Sequence, residues 1–208
     1  MIGIFGGTFD PIHYGHLRTA LDVMQAVGLE QIRFIPLHGP VHRNPPQASP
    51  GVRLQMVEAA ISGQDGFVAD DRELKRAGPS YTVDTLLDLR EAFPDQTLCL
   101  LMGMDAFSGF PNWYKPDEIL ELAHLIVMRR PGEDQLSLAS QNLLSKDQGP
   151  DISMVNQQSA GVILLQTVTQ LDISSTRIRS MLSQGNLPRY LLPEAVLELV
   201  VEQELYKN

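Results

Sequence analysis

The sequence predicts an α/β fold, Rossmann-like and doubly wound, with a mainly parallel sheet and a helical C-terminal part. Three observations predict it. Short apolar runs of strand length recur at residues 2–5, 32–37, 67–69, 97–102, 125–128 and 162–165. Amphipathic helical patterns lie between them, and strands alternating with helices pair in parallel. The end of the chain is helical again, over residues 174–183 and 193–205.

Taken in order, the first run, residues 2–5, leads into a glycine-rich turn and then a helix. Leu17, Ala20, Leu21, Met24 and Val27 fall on one stripe of that helix, and Gly28 stands where a C-cap glycine belongs. The second run is followed by residues 36–51, whose five prolines predict a structured loop over a site. A helix over 51–62 and one over 82–93, stopped by Pro94, flank the short third run. Residues 131–160 are polar and weakly periodic, which predicts an insertion or mobile region. Pro193 suits the first turn of the last helix. No linker divides residues 1–208, so one domain is expected.

Composition narrows the function. The chain of 208 residues has 43% hydrophobic and 20% charged residues, enough to bury a substantial core. Sixteen Lys and Arg against 25 Asp and Glu give a formal charge of −9. That opposes a general nucleic-acid or anionic-membrane binder, which needs a broad positive field. A small phosphorylated substrate needs only a local positive cluster. Cys99 is the only cysteine, so no intrachain disulfide can form and a reducing compartment fits. The opening apolar run is too short for a signal peptide, and no stretch reaches the roughly 18 apolar residues of a membrane span. A cytoplasmic protein is expected, and a homo-oligomer stays open.

The chemistry concentrates in Gly6-Gly7-Thr8-Phe9-Asp10-Pro11-Ile12-His13-Tyr14-Gly15-His16, between the first strand and the first helix. Glycines 6 and 7 let backbone approach a phosphate, and the helix that follows aims its free N–H groups at the same place. His13 and His16, three apart in a first turn, project to similar sides and could stabilise phosphate charge during transfer. Taken singly, a glycine-rich turn is more often just a turn, and a histidine pair at this spacing is more often surface, core or metal ligand. The run is neither a Walker A loop nor a G-x-G-x-x-G fingerprint. A second phosphate feature is Ser174-Ser175-Thr176-Arg177-Ile178-Arg179. Its hydroxyls suit a helix cap, but two arginines in a first turn oppose the helix dipole unless an anion binds there.

The first motif, with its His13-x-Gly15-His16 core, resembles the H-x-G-H nucleotidyltransferase superfamily. Over nearly its full length the chain further resembles the bacterial nicotinate-nucleotide adenylyltransferase family. The segments that carry this narrower resemblance are Pro79-Ser80-Tyr81-Thr82-Val83-Asp84-Thr85-Leu86, Gly103-Met104-Asp105, Phe110-Pro111-Asn112-Trp113-Tyr114, Arg129-Arg130-Pro131-Gly132 and residues 173–179. The resemblance implies transfer of AMP from ATP to nicotinate mononucleotide, yielding nicotinate adenine dinucleotide and pyrophosphate, in NAD biosynthesis. It implies His13, His16 and Arg179 as catalytic residues. It implies that Gly6, Gly7, Thr8, Phe9, Asp10, Ser174, Ser175, Thr176 and Arg177 bind ATP. For the mononucleotide it implies His42, Val83, Thr85, Asp105, Trp113, Tyr114 and Arg130. Backbone N–H groups of Val83 and Tyr114 would hold the nicotinate carboxylate, with Trp113 against the pyridine ring. In the loop after the second strand the family often carries paired asparagines before Pro-Pro-His; here Leu37-His38-Gly39-Pro40-Val41-His42 keeps only the histidine.

No protein nucleophile is required, because a phosphate monoester with a second pKa of about 6 is already largely dianionic near neutrality. Mg2+ is expected to arrive with ATP rather than in a dedicated cage. Three rivals remain at this stage. One is phosphopantetheine adenylyltransferase, of the same superfamily but generally shorter; another is a non-catalytic ATP sensor. The third is a zinc enzyme using His13, His16, His38 and His42, disfavoured by the lack of paired carboxylate or cysteine ligands.

Overall fold

The computed structural model describes residues 1–39, 45–76, 78–129, 137–147 and 152–207. Six strands alternate with helices: β1 (Ile2–Gly7), α1 (Tyr14–Val27), β2 (Gln31–Pro36), α2 (Pro50–Ile61), β3 (Phe67–Ala69), α3 (Arg72–Lys75) and α4 (Thr82–Ala92) form the first half. There follow β4 (Leu98–Gly103), α5 (Met104–Gly109), a 3-10 turn (Phe110–Asn112), α6 (Pro116–Leu122), β5 (His124–Arg129), α7 (Leu138–Asp147) and α8 (Ile152–Gln157). The chain then runs through β6 (Ile163–Thr167), α9 (Ser175–Ser183) and α10 (Glu194–Glu202).

The strands lie in the order β3-β2-β1-β4-β5-β6, and every pairing is parallel. The chain winds outward from β1 to β3, then returns to the other side of β1 with β4. The point where the direction reverses is where open α/β sheets bind ligands. Alternation along the strands explains the two layers. Leu98, Leu100 and Met102 of β4 face α4, α5 and α6, whereas Cys99 and Leu101 face the layer of α1, α2, α9 and α10. Both faces are covered, as the unbroken apolar strands demand. Cys99 is buried, and burial pushes its thiol up to about 12, so it behaves as a small apolar core residue.

Most expected elements are present, with ends shifted by at most three residues. Gly28 closes α1 in the left-handed conformation at φ 71°. Other features differ from the sequence reading. Helices α3, α5 and α6 and the 3-10 turn are too short to show a clear periodic stripe, and they fill the connections around β3 and between β4 and β5. Part of the polar stretch 131–160 forms α7 and α8, anchored by buried Leu144 and Val155. Pro193 is the N-cap of α10 rather than a residue of its first turn. No helix among the described residues is long and apolar enough to cross a membrane.

His124 opens β5 fully buried, its Nδ1 accepting from the Val162 N–H at 3.0 Å and its Nε2 3.1 Å from the Gln158 carbonyl. The ring is therefore neutral, with its proton on Nε2. Burial holds its pKa below the usual histidine range. Below a pH of about 6.5 the unfolded chain binds this proton more readily than the folded one. The stability His124 contributes is thus complete above that pH and falls away as pH drops through the depressed folded value. The urea midpoint should fall on acidification from about pH 7 to 5. His124→Asn, which can still accept from Val162, should flatten that slope; an unchanged slope would assign the acid sensitivity elsewhere.

Candidate active site

The residues after β1 form the floor of a cleft of 660 Å³ at the carboxyl ends of β1 and β4. Its lining brings together Gly6, Gly7, Thr8, Phe9, Asp10, His13, His16, Asp105, Ser174, Ser175, Thr176 and Arg179. Two segments some 160 residues apart in sequence therefore share one cavity, as the phosphate reading requires. Its volume lies in the ordinary range for small-molecule sites, roughly 300–1,000 Å³.

The local geometry explains the spacing of the histidines. His13 is the N-cap of α1 and His16 its third residue. Their rings stack with centroids 3.8 Å apart. A Cβ on Gly15 would come within 2.9 Å of the His13 ring, so only glycine lets the imidazole lie across the helix start. The His13 N–H donates to Nδ1 of His16 at 3.3 Å. In that arrangement Nδ1 of His16 is an acceptor, and Nε2 carries the proton. His16 is thus a donor through Nε2 as a neutral imidazole. Gly7 is needed because a Cβ there would meet the Phe9 ring at 2.8 Å, whereas at Gly6 it would make only an ordinary contact with Leu37 at 4.0 Å.

Phe9 adopts a left-handed backbone at φ 49° and buries its ring against Phe5, Phe34 and His16. The Asp10–Pro11 peptide is cis. Asp10 is also buried, and its carboxylate is engaged within the protein. It accepts from Gln47 N–H at 2.9 Å, Ala48 N–H at 3.1 Å and the Tyr206 hydroxyl at 2.7 Å. Asp10 thus braces the site from beneath.

Helix α9 closes the other side. Ser174 caps it by accepting from Arg177 N–H, and Ser175 Oγ donates to the Pro11 carbonyl at 2.9 Å. Arg179 donates to the Asp10 carbonyl at 2.7 Å and to Thr176 Oγ1 at 3.4 Å. Arg177 lies outside the cleft, largely exposed and facing Asp172 at 3.9 Å. Two positions along a helix turn about 200°, which sends the two arginines to opposite sides.

On the acceptor side the structure is more divided. Asp105, in the first turn of α5, reaches the cleft. Val83 sits in the first turn of α4, where Tyr81 provides no side-chain cap and the leading N–H groups lack an intrahelical acceptor. The Tyr81 and Tyr114 rings lie 4.6 Å apart, bringing this helix start against the 113–114 segment. Trp113 is half-buried and packs on Phe110 at 5.5 Å. Val83, Trp113 and Tyr114 stand outside the lining of the phosphate cleft. Thr85 does not face any open site. It is buried one turn into α4, its hydroxyl donating to Glu73 Oε1 at 2.7 Å and accepting from Arg76 at 3.3 Å. Burial pushes the Glu73 carboxyl up, against the lowering effect of its bonds to Thr85 and Ser80. His42 and Arg130 lie outside the described residues.

Arg53 was not anticipated. It is fully buried, and its guanidinium donates to the carbonyls of Thr8 at 2.8 Å, Leu37 at 2.6 Å, His38 at 3.3 Å and Ala48 at 3.3 Å. It ties the loops after β1 and β2 to the start of α2. One signal was available: Arg53 stands three and four residues before Met56 and Val57, on the apolar face of its helix. Arg53→Met should lower the urea midpoint by the equivalent of about 2 kcal/mol or more, since each buried acceptor left unpaired costs about 1–3 kcal/mol. An unchanged midpoint would show that water replaces the guanidinium.

The cytidylyltransferase-like family model matches residues 4–181. The chain is 47% identical over 208 residues to the probable nicotinate-nucleotide adenylyltransferase of Methylococcus capsulatus, covering 99% of each. It is 44% identical to the protein of the same name from Aeromonas hydrophila, covering 99% of this chain and 97% of that one. Among solved structures it resembles the Plasmodium falciparum nicotinic acid mononucleotide adenylyltransferase complexed with NaAD, with a TM-score of 0.72 at 20% identity. That match covers 99% of this chain and 96% of the other and speaks to the fold.

Proposed function

The chain belongs to the cytidylyltransferase-like family and, within it, to the nicotinate-nucleotide adenylyltransferases, and from that premise we infer how its cleft works. The enzyme transfers AMP from ATP to nicotinate mononucleotide, giving nicotinate adenine dinucleotide and pyrophosphate, a step of NAD biosynthesis. The mononucleotide 5′-phosphate attacks the α-phosphorus of ATP in line, forming the new P–O bond as the bond to pyrophosphate breaks. The protein aligns two anions and stabilises the charge that moves between them.

The observation that carries this assignment is the sharing of one cleft by the glycine turn, the stacked histidines and Arg179. Backbone at Gly6 and Gly7, with the α9 hydroxyls of Ser174 and Thr176, takes the ATP phosphates. His16 Nε2 and Arg179 face the charge developing at the α-phosphate, and His13 holds His16 in its donor tautomer. Asp105 accepts from a sugar hydroxyl. The start of α4 with Tyr114 N–H receives the nicotinate carboxylate, and Trp113 flanks the ring. Arg177 acts on ATP only through long-range charge, and Thr85 supports the α4 start through Glu73.

No group of three or more His, Cys, Asp or Glu side chains among the described residues could hold a metal ion. Mg2+ would be held by the ATP phosphates and water, with the cleft residues binding the phosphates around it. When bound it neutralises phosphate charge. The reaction belongs to the cytoplasm, where the lone thiol stays reduced.

The decisive test is pyrophosphate release with ATP and a panel of acceptors. Release with nicotinate mononucleotide, and not with phosphopantetheine, is the expected result. Silence with every acceptor would overturn the assignment.

A further inference from the structure

Tyr206 lies in the turn after α10, where two non-glycine residues, Glu204 at φ 52° and Tyr206 at φ 63°, adopt left-handed backbone. Such conformations are costly for side chains with a Cβ and persist where the surroundings enforce them. Here they fold the chain back so that the Tyr206 ring is buried among the apolar residues of the α1–α2–α9–α10 layer. Its hydroxyl then donates to Asp10 Oδ1 at 2.7 Å, across 196 residues of sequence. Apolar packing alone would be served as well by phenylalanine. Burial and the adjoining carboxylate both push the phenol up, so it remains a donor throughout the working pH range.

Asp10 is shared between this hydroxyl and the cleft. Oδ1 also accepts from Ala48 N–H, and Oδ2 accepts from Gln47 N–H while lying 3.9 Å from Arg179 Nη1. At that distance the two charges form an ion pair without a hydrogen bond, and the same Nη1 donates instead to the Asp10 carbonyl at 2.7 Å. We propose that the Tyr206 hydroxyl is a positioning group for the ATP side of the reaction. By supplying a buried donor to Asp10 it keeps the carboxylate turned toward Gln47 and Ala48, and so leaves the Arg179 guanidinium available to phosphate. Without that donor the carboxylate closes on Arg179 and competes with ATP for it. This inference rests on the assignment of Arg179 to the ATP phosphates.

The test uses Tyr206→Phe, which removes only the hydroxyl, beside Leu205→Ala, which disturbs packing in the same turn without touching Asp10. For Tyr206→Phe, the dissociation constant for ATP, read by calorimetry, and the KM for ATP should both rise by about 10-fold, the effect of one lost charge-oriented contact. The KM for nicotinate mononucleotide should stay within twofold, and Leu205→Ala should lower the melting temperature alone. In an Arg179→Lys background the Tyr206→Phe effect should largely vanish, because the two act in one chain of contacts. Unchanged ATP affinity in Tyr206→Phe, or an undiminished effect in the Arg179→Lys background, would overturn the proposal. ATP binding is read without any acceptor, so a wrong acceptor assignment would leave this result standing.

Discussion

Nicotinate mononucleotide should be used roughly 30-fold to 10⁴-fold more efficiently than its carboxamide analogue, as the ratio of kcat/KM values. The discrimination comes from donors facing donors. The first turn of α4 presents N–H groups with no intrahelical acceptor, and Tyr81 leaves them uncapped. The tilted contact of the Tyr81 and Tyr114 rings brings the 113–114 segment against this helix start. A carboxylate offers two acceptor oxygens and a charge that suits a helix start. A carboxamide offers one oxygen and turns an N–H₂ toward a donor. One hydrogen bond is lost and one donor left unpaired, at about 1–3 kcal/mol each. Trp113→Ala should weaken both acceptors alike, since a ring face does not read the carboxylate; a small stability loss is also expected from its packing on Phe110. Equal efficiencies for acid and amide in the native protein would refute the carboxylate site.

His16→Ala should lower kcat by about 100-fold or more while changing ATP affinity little, the scale of one lost transition-state donor. The Nε2 proton is fixed in place by the bond from His13 N–H to Nδ1, so the donor needs no rearrangement as charge develops. Steady-state rates together with equilibrium ATP binding separate the two contributions. A rise in KM with kcat intact would reduce His16 to a binding group.

The strands and long helices were legible because their apolar residues repeat at the period of one face. The glycine turn and histidine pair were legible because they fall between β1 and α1, where a parallel sheet places its ligands. What escaped the sequence were contacts between distant segments. The place of Arg53 on an apolar helix face could be read, but its carbonyl partners in the loops after β1 and β2 could not. Asp10 lines the cleft, but its bonds to Gln47, Ala48 and Tyr206 could not be read from its place in the motif. The burial of Thr85 was not legible either: its hydroxyl, three residues past the helix start, turns into the core and donates to Glu73.

The cleft's construction also sets when in the life of the chain it can exist. Ser175 reaches Pro11 across 164 residues, Arg179 reaches Asp10 across 169, and Tyr206 reaches Asp10 across 196. Contacts so remote in sequence carry the largest loop-closure cost and form only when the late segments are present. A ribosome-bound chain that has exposed β1 to β5 holds the glycine turn and both histidines, but neither Arg179 nor the tyrosine bonded to Asp10. The nascent protein therefore lacks the α9 wall against which ATP phosphates would be held. If α9 carries the phosphate contacts proposed above, recovery of activity during refolding should follow the docking of α9 and α10 rather than assembly of the sheet.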